Sequence, residues 1–188
     1  MAAAGVEVEM QSRRLARAER AVASLELPDA AFKTCPWQPR GLIEKGLRQW
    51  LRCCAPALGH RRVIGMPSRA VDEAWHGLIL CTALYSDFCG RAYGRYLHHH
   101  PEGAAPSTVA GATDPMHEQL GRTVVAWSLV AKPGEHCVMW DLDERVGVET
   151  PWGVDLARVA AIEAAAAGIR AGRRVRPANV SIVQGNIA

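Results

Sequence analysis

The chain has 188 residues and a formal net charge of +3, and 49% of its residues are hydrophobic. A chain of this size can bury enough surface to fold as one domain without a disulfide or a metal ion. The small positive charge gives only weak support for a nucleic-acid partner. No apolar run reaches the roughly 18–20 residues that span a bilayer, so no membrane partner is expected.

Six cysteines are scattered among apolar residues. No Cys-x-x-Cys pair occurs, so the usual spacing of zinc ribbons and thioredoxin-like redox sites is absent. The N-terminal region lacks the uninterrupted apolar core of a secretory signal. Cysteines used in this way behave as small hydrophobic residues, and they predict reduced thiols in a soluble, cytoplasmic protein.

The first part of the chain is predicted to be helical. Residues 8–27 read as a charged amphipathic helix that a proline ends. Residues 35–40 contain two prolines and are predicted to be a connection, because proline removes a hydrogen-bond donor and disfavours helix in the residue before it. Residues 42–54 place apolar side chains on one face at helical spacing, and Pro56 and Gly59 are expected to close this second helix.

The densest segment of the sequence runs from Met66 to Pro101. Ser68 is a predicted N-cap, because its hydroxyl can accept a hydrogen bond from a free amide of the first turn. After Ser68, mostly apolar and aromatic residues recur at alternating steps of four and three. This spacing predicts either one long helix over residues 70–97 or two helices that meet near Ser86–Gly90. The regular repeat favours the unbroken helix. The repeat consists of Val71, Trp75, Leu78, Thr82, Tyr85, Cys89, Ala92 and Tyr96.

The remainder of the chain predicts two further helices. Residues 102–113 are rich in Gly, Ala and Pro and indicate a loop, after which Pro115 opens a helix. Residues 137–142 are short and apolar and predict a strand or a buried turn. Residues 155–167 form an alanine-rich helix that Gly168 is expected to close.

Helices therefore outnumber the one or two short strands that the pattern allows, which predicts an all-α, single-domain helical bundle. Its core domain is expected to be residues 29–168, between an N-terminal amphipathic helix in residues 1–28 and a flexible basic tail in residues 169–188. The tail carries four arginines between Arg170 and Arg176. These could touch phosphates, so nucleic acid is a weak alternative partner.

Asp72 and His76 stand four residues apart and would share one face of a helix. At that spacing they can bind one metal ion together, or the carboxylate can fix the tautomer of the histidine; a plain local hydrogen bond is the commoner outcome. A run of three histidines, residues 98–100, follows at the predicted helix end, where it is typical of an exposed terminus. An unbroken helix would separate His76 from His98 by about 33 Å. A shared site therefore requires the chain to turn back near residues 87–90, or ligands such as His60, His117 or His136 to approach from elsewhere.

The segment resembles bacterial members of the glycine-rich domain-containing protein-like family over about a fifth of the chain. The resemblance implies that Asp72, His76, His98 and His99 meet in space, and it implies no particular reaction. Larger relatives often carry a second histidine two residues after the first, where this chain has Leu78. The matching positions are Pro67, Ser68, Val71, Asp72, Trp75, His76, Ile79, Leu80, Tyr85, Phe88, Cys89, Gly94, His98, His99 and Pro101.

Two functional hypotheses follow, and no P-loop, GxSxG or HExxH motif adds another. The leading one is a divalent metal site, for zinc or iron, with Asp72, His76, His98 and His99 as ligands. Hydrolysis by a metal-activated water is the least demanding reaction for such a site. The alternative is a non-enzymatic adaptor that binds a protein partner, in which the histidines and tryptophans are structural. A metal site would gather Asp72, His76 and a third polar ligand around one cavity, whereas an adaptor would show separate hydrogen-bonded pairs beneath an exposed apolar groove.

Overall fold

The computed structural model describes residues 2–59, 62–100, 115–152 and 154–170. Over these ranges the chain forms seven α-helices and two short 3-10 helices, with no β-sheet, so the predicted all-α class is confirmed. The 3-10 helices are Asp29–Phe32 and Val138–Trp140. The α-helices are α1 (Ala2–Ala23), α2 (Arg40–Gly59), α3 (Arg69–Leu80), α4 (Thr82–Tyr93), α5 (Met116–Val130), α6 (Leu142–Arg145) and α7 (Leu156–Arg170).

Helix α2 lies at the centre of the bundle and packs against α1, α3 and α5. Its apolar face is buried, with Ile43, Leu47 and Leu51 fully inaccessible to solvent. The helix extends beyond the predicted residues 42–54: it includes Pro56 and ends at Gly59, the second of the two residues expected to close it. Residues 53–57 are buried on all sides, and this packing stabilises the last turn despite the hydrogen bond that proline removes.

Helix α1 packs against α2 and α4 through buried Ala18, Ala21 and Val22. It begins at Ala2 and ends at Ala23, earlier at both ends than the sequence pattern suggested. Arg52 of α2 pairs across this contact with Glu19 of α1, Nε to Oε2 at 2.8 Å, and its Nη1 also lies 2.7 Å from Oε1 of Glu135, which follows α5. Burial acts to raise the pKa of Glu135, but hydrogen bonds from Arg52, from the Lys132 backbone and from Gln49 outweigh it and lower that pKa.

The long helix favoured by the sequence is broken. Helix α3 ends at Leu80 and α4 begins at Thr82, because Cys81 has a ψ of 59° that no α-helix allows. The break is therefore at Cys81 rather than near Ser86–Gly90. Thr82, which belongs to the four-and-three repeat, is exposed. A second change of direction follows at Gly94, whose φ of 73° lies in the left-handed region and ends α4.

The C-terminal elements complete the bundle. The apolar stretch at residues 137–142 contains the buried 3-10 helix Val138–Trp140, so the buried turn rather than the strand is correct. Helix α7 packs on α5 and continues past Gly168 to Arg170. The predicted loop at residues 102–113 and the basic tail after Arg170 lie outside the described residues. All six cysteines are free thiols. Within the described ranges, no helix is both long enough and apolar enough to cross a bilayer.

Candidate metal site

The start of α3 is held in place by a buried carboxylate. Ser68 is the N-cap, as predicted, and its hydroxyl accepts a hydrogen bond from the Val71 N–H at 3.2 Å. The same hydroxyl donates to Oδ1 of Asp143 at 2.6 Å, and Asp143 is only 1% exposed. A carboxylate at this position also interacts favourably with the positive end of the helix dipole. The other donors to Asp143 are the backbone N–H groups of Arg69, Ala70 and Trp152, at 2.8, 3.1 and 2.9 Å.

Close packing fixes the second turn of α3. A Cβ atom on Gly77 would lie 2.1 Å from the carbonyl oxygen of Ala31, so only glycine lets α3 approach the 3-10 helix Asp29–Phe32 this closely. Asp72 in the first turn and His76 in the second are therefore carried by a helix that is constrained at both places.

The chain returns to α3 after Gly94. We name residues 95–100, which are non-helical, the return segment. The Tyr85 hydroxyl on α4 donates to the Leu97 carbonyl at 2.9 Å and accepts from Nε1 of Trp75 at 3.1 Å. Both aromatic side chains are buried, so these bonds tie the return segment to α3 from the inside of the bundle.

This return brings His99 against Asp72 and His76. The Nε2 atoms of His76 and His99 are 3.0 Å apart. Oδ2 of Asp72 is 3.5 Å from Nδ1 of His76, and Oδ1 of Asp72 is 3.7 Å from Nε2 of His99. One ligand atom from each of the three residues lies within 4.8 Å of the other two. Their side chains are 17%, 42% and 23% exposed for Asp72, His76 and His99, so solvent reaches the group.

The two imidazoles are close enough for a hydrogen bond between them, and the group as a whole has spacing that could hold a metal ion. Both carboxylate–imidazole distances exceed the range of a good hydrogen bond. In a tetrahedral zinc site with Zn–N distances of about 2.0–2.1 Å, neighbouring ligand atoms stand about 3.3 Å apart. The separations of 3.0 Å between the two Nε2 atoms and 3.7 Å between Asp72 and His99 lie on either side of that value.

His98 lies outside this group, although the sequence placed it among the ligands. Its side chain is exposed and its ring packs against Tyr96, with ring centroids 5.0 Å apart. Desolvation, and then the neighbouring His98 and His99, lower the pKa of His100, which is also not in the group. Of the other candidates, His136 lies 4.0 Å from Asp141, and His60 falls outside the described residues.

Thiolate ligands play no part in this arrangement. Cys53 and Cys54 are fully buried, and burial raises the pKa of each thiol well above its usual range. The thiolate is the form that binds metals, so burial disfavours these two cysteines as ligands. Both belong to the hydrophobic core. Across the described ranges, Asp72, His76 and His99 form the one group of three or more His, Cys, Asp or Glu side chains with metal-ligand spacing.

Asp143 is the residue of this region that sequence reasoning missed. No spacing rule connects it to Ser68, which is 75 residues earlier in the chain. No motif surrounds Asp143 in the sequence, so no local signal could have assigned this role to it.

A family model described as UCP032817-like matches residues 30–118, a little under half of the chain. The matched range contains α2, α3 and α4 with Asp72, His76 and His99, whereas Asp143 lies beyond it. Searches of curated proteins and of solved structures found no match. The resemblance to the glycine-rich domain-containing protein-like family stays a prediction.

Proposed function

We propose that the protein binds one divalent metal ion through Asp72, His76 and His99. The observation that carries the proposal is the position of His99. This residue belongs to the return segment, yet it lies beside Asp72 and His76, which are one helical turn apart on α3. Asp72 and His76 alone would fit a local hydrogen bond. A third ligand atom within 4.8 Å of both is what a metal site requires and a local pair does not.

Zinc and ferrous iron are the ions that this set of two imidazoles and one carboxylate suits best. Three protein ligands leave at least one coordination position for water, which is the pattern of catalytic rather than structural zinc sites. The partial exposure of all three side chains supports access of water and of a small substrate. A bound ion would supply an activated water there, so hydrolysis is the chemistry that we propose.

The adaptor hypothesis receives less support. It expected the polar residues of this segment to form separate hydrogen-bonded pairs, and three of them instead form one group. A cytoplasmic location, a protein partner and a contact between Arg170–Arg176 and nucleic acid stay predictions.

The test is a calorimetric titration of untagged, metal-stripped protein with Zn²⁺ and, without oxygen, with Fe²⁺. We expect one ion per chain. We expect His99→Ala to weaken binding by more than about 100-fold, since changes outside the ligand shell alone cost 10–100-fold. Asp72→Asn and His76→Ala should weaken it comparably.

His98→Ala is the matched control, because it removes an imidazole from the adjacent residue, outside the group. It should leave affinity and stoichiometry unchanged. Equal losses in His98→Ala and His99→Ala would indicate unspecific binding to the histidine run, and absence of binding by the wild-type protein would contradict the proposal directly.

A further inference from the structure

A buried chain of hydrogen bonds joins the two elements that carry the proposed ligands. It runs from Nε1 of Trp75 to the Tyr85 hydroxyl at 3.1 Å, and from that hydroxyl to the Leu97 carbonyl at 2.9 Å. Trp75 directly precedes His76, and Leu97 stands two residues before His99. Tyr85 belongs to α4 and is therefore between the two ligand-bearing elements without being a ligand itself.

The direction of this chain is fixed by the chemistry of its ends. An indole N–H can only donate and a backbone carbonyl can only accept, so the Tyr85 hydroxyl must accept from Trp75 and donate to Leu97. Tyr85 is 0% and Trp75 5% exposed, so water does not compete for either bond. A fully satisfied buried chain of this kind holds its members in one arrangement.

The same chain determines where the His99 ring lies. The Trp75 ring packs against His99 at a centroid distance of 4.9 Å, and Tyr96 of the return segment packs edge-on against Tyr85 at 5.2 Å. Tyr85 and its partner Trp75 thus contact the return segment at three residues, Tyr96, Leu97 and His99.

We propose that Tyr85 is a positioning residue for the metal site, which sets metal affinity by holding His99 against His76. The inference rests on the proposed function and adds the residue that pre-arranges its third ligand. Tyr85→Phe keeps the ring but leaves the Trp75 N–H and the Leu97 carbonyl without the buried hydroxyl that they bond. The return segment would then shift to reach water, and His99 would move with it.

The experiment compares Tyr85→Phe with Tyr93→Phe. Tyr93 is on the same helix, and its hydroxyl likewise donates to a backbone carbonyl, that of Leu51 at 2.7 Å. Each substitution therefore removes one hydroxyl-to-carbonyl bond, and Tyr85→Phe also removes the bond from Trp75. The Tyr93 hydroxyl is bonded to α2 and not to an element that carries a proposed ligand. We expect the Zn²⁺ affinity to fall about 10–100-fold in Tyr85→Phe and to be unchanged in Tyr93→Phe, even where both variants lose similar thermal stability.

A second readout follows the position of His99 without any metal. In the NMR spectrum of the metal-free protein, the Trp75 ring current should displace the His99 ring-proton signals. We expect this displacement to diminish in Tyr85→Phe and to persist in Tyr93→Phe. The same spectra report whether each variant is folded.

The outcomes separate the two proposals. Wild-type protein that binds no zinc would overturn the proposed function, and the inference with it. Wild-type protein that binds zinc while Tyr85→Phe binds it equally well would overturn the inference alone, whatever the His99 signals show. Equal losses of affinity in Tyr85→Phe and Tyr93→Phe would also overturn it, because they would reflect general destabilisation.

Discussion

Asp143 supplies no ligand to the proposed site, yet its carboxylate accepts four hydrogen bonds. Three come from Ser68, Arg69 and Ala70 at the start of α3, and the fourth comes from Trp152. An ionised carboxylate is costly to bury unless it is hydrogen-bonded, and here the free amides at a helix N-terminus satisfy it. One residue thus connects the segment after α5 to the helix that carries Asp72 and His76.

Asp143→Ala should lower the free energy of unfolding by about 2–4 kcal/mol, because the Ser68 hydroxyl and three backbone N–H groups lose their buried acceptor. Urea denaturation at neutral pH measures the change. Asp87→Ala is the control, since Asp87 is 66% exposed and pairs only with Arg91 one turn away. That control should change stability by less than about 1 kcal/mol. Similar small effects in both variants would show that the Asp143 contacts contribute little.

At the scale of elements, two glycines within helices have opposite surroundings. Gly77 of α3 faces the Ala31 carbonyl, so that an added Cβ would meet it at 2.1 Å, whereas a Cβ on Gly90 of α4 has nothing within 4 Å. The first glycine allows close packing, and the second only lowers the helix propensity of α4.

Gly77→Ala should therefore destabilise the protein by about 1–3 kcal/mol, because α3 must move away from the 3-10 helix Asp29–Phe32. Gly90→Ala should stabilise it by about 0.5–1 kcal/mol. Thermal and urea unfolding of the two variants measure both signs. A destabilising Gly90→Ala, or a neutral Gly77→Ala, would contradict the packing described for these helices.

The end of a helix was predictable where a local interaction sets it, as the Ser68 N-cap does for α3. It was not predictable where tertiary packing sets it. The four-and-three repeat continues through Thr82, because it depends only on the spacing of residues along the chain. It contains no information on the backbone angles of Cys81, so it could not predict the break there. Gly94 did carry a signal, since a glycine after a helix is typical of a left-handed C-terminal cap, but the repeat that continues to Tyr96 masked it.

At the scale of the whole molecule, the site was predictable in part. The spacing of Asp72 and His76 placed them on one helical face, and the resemblance grouped them with His98 and His99. The structure brings only His99 to them. Residues 95–100 are non-helical, so the three histidines do not lie along one helical face, and His98 packs against Tyr96 instead of joining the group. The role of Asp143 depends on a contact between distant parts of the chain, which no local pattern encodes.

The most direct measurement on the proposed site is zinc-edge X-ray absorption of the zinc-loaded, untagged protein. Scattering from two imidazoles and one oxygen-donating side chain, with first-shell distances of about 2.0–2.2 Å, is the predicted result, and His99→Ala should lose one imidazole while His98→Ala loses none. Zinc bound with sulfur ligands, or with the same number of imidazoles in His99→Ala as in the wild-type protein, would contradict a site built from Asp72, His76 and His99.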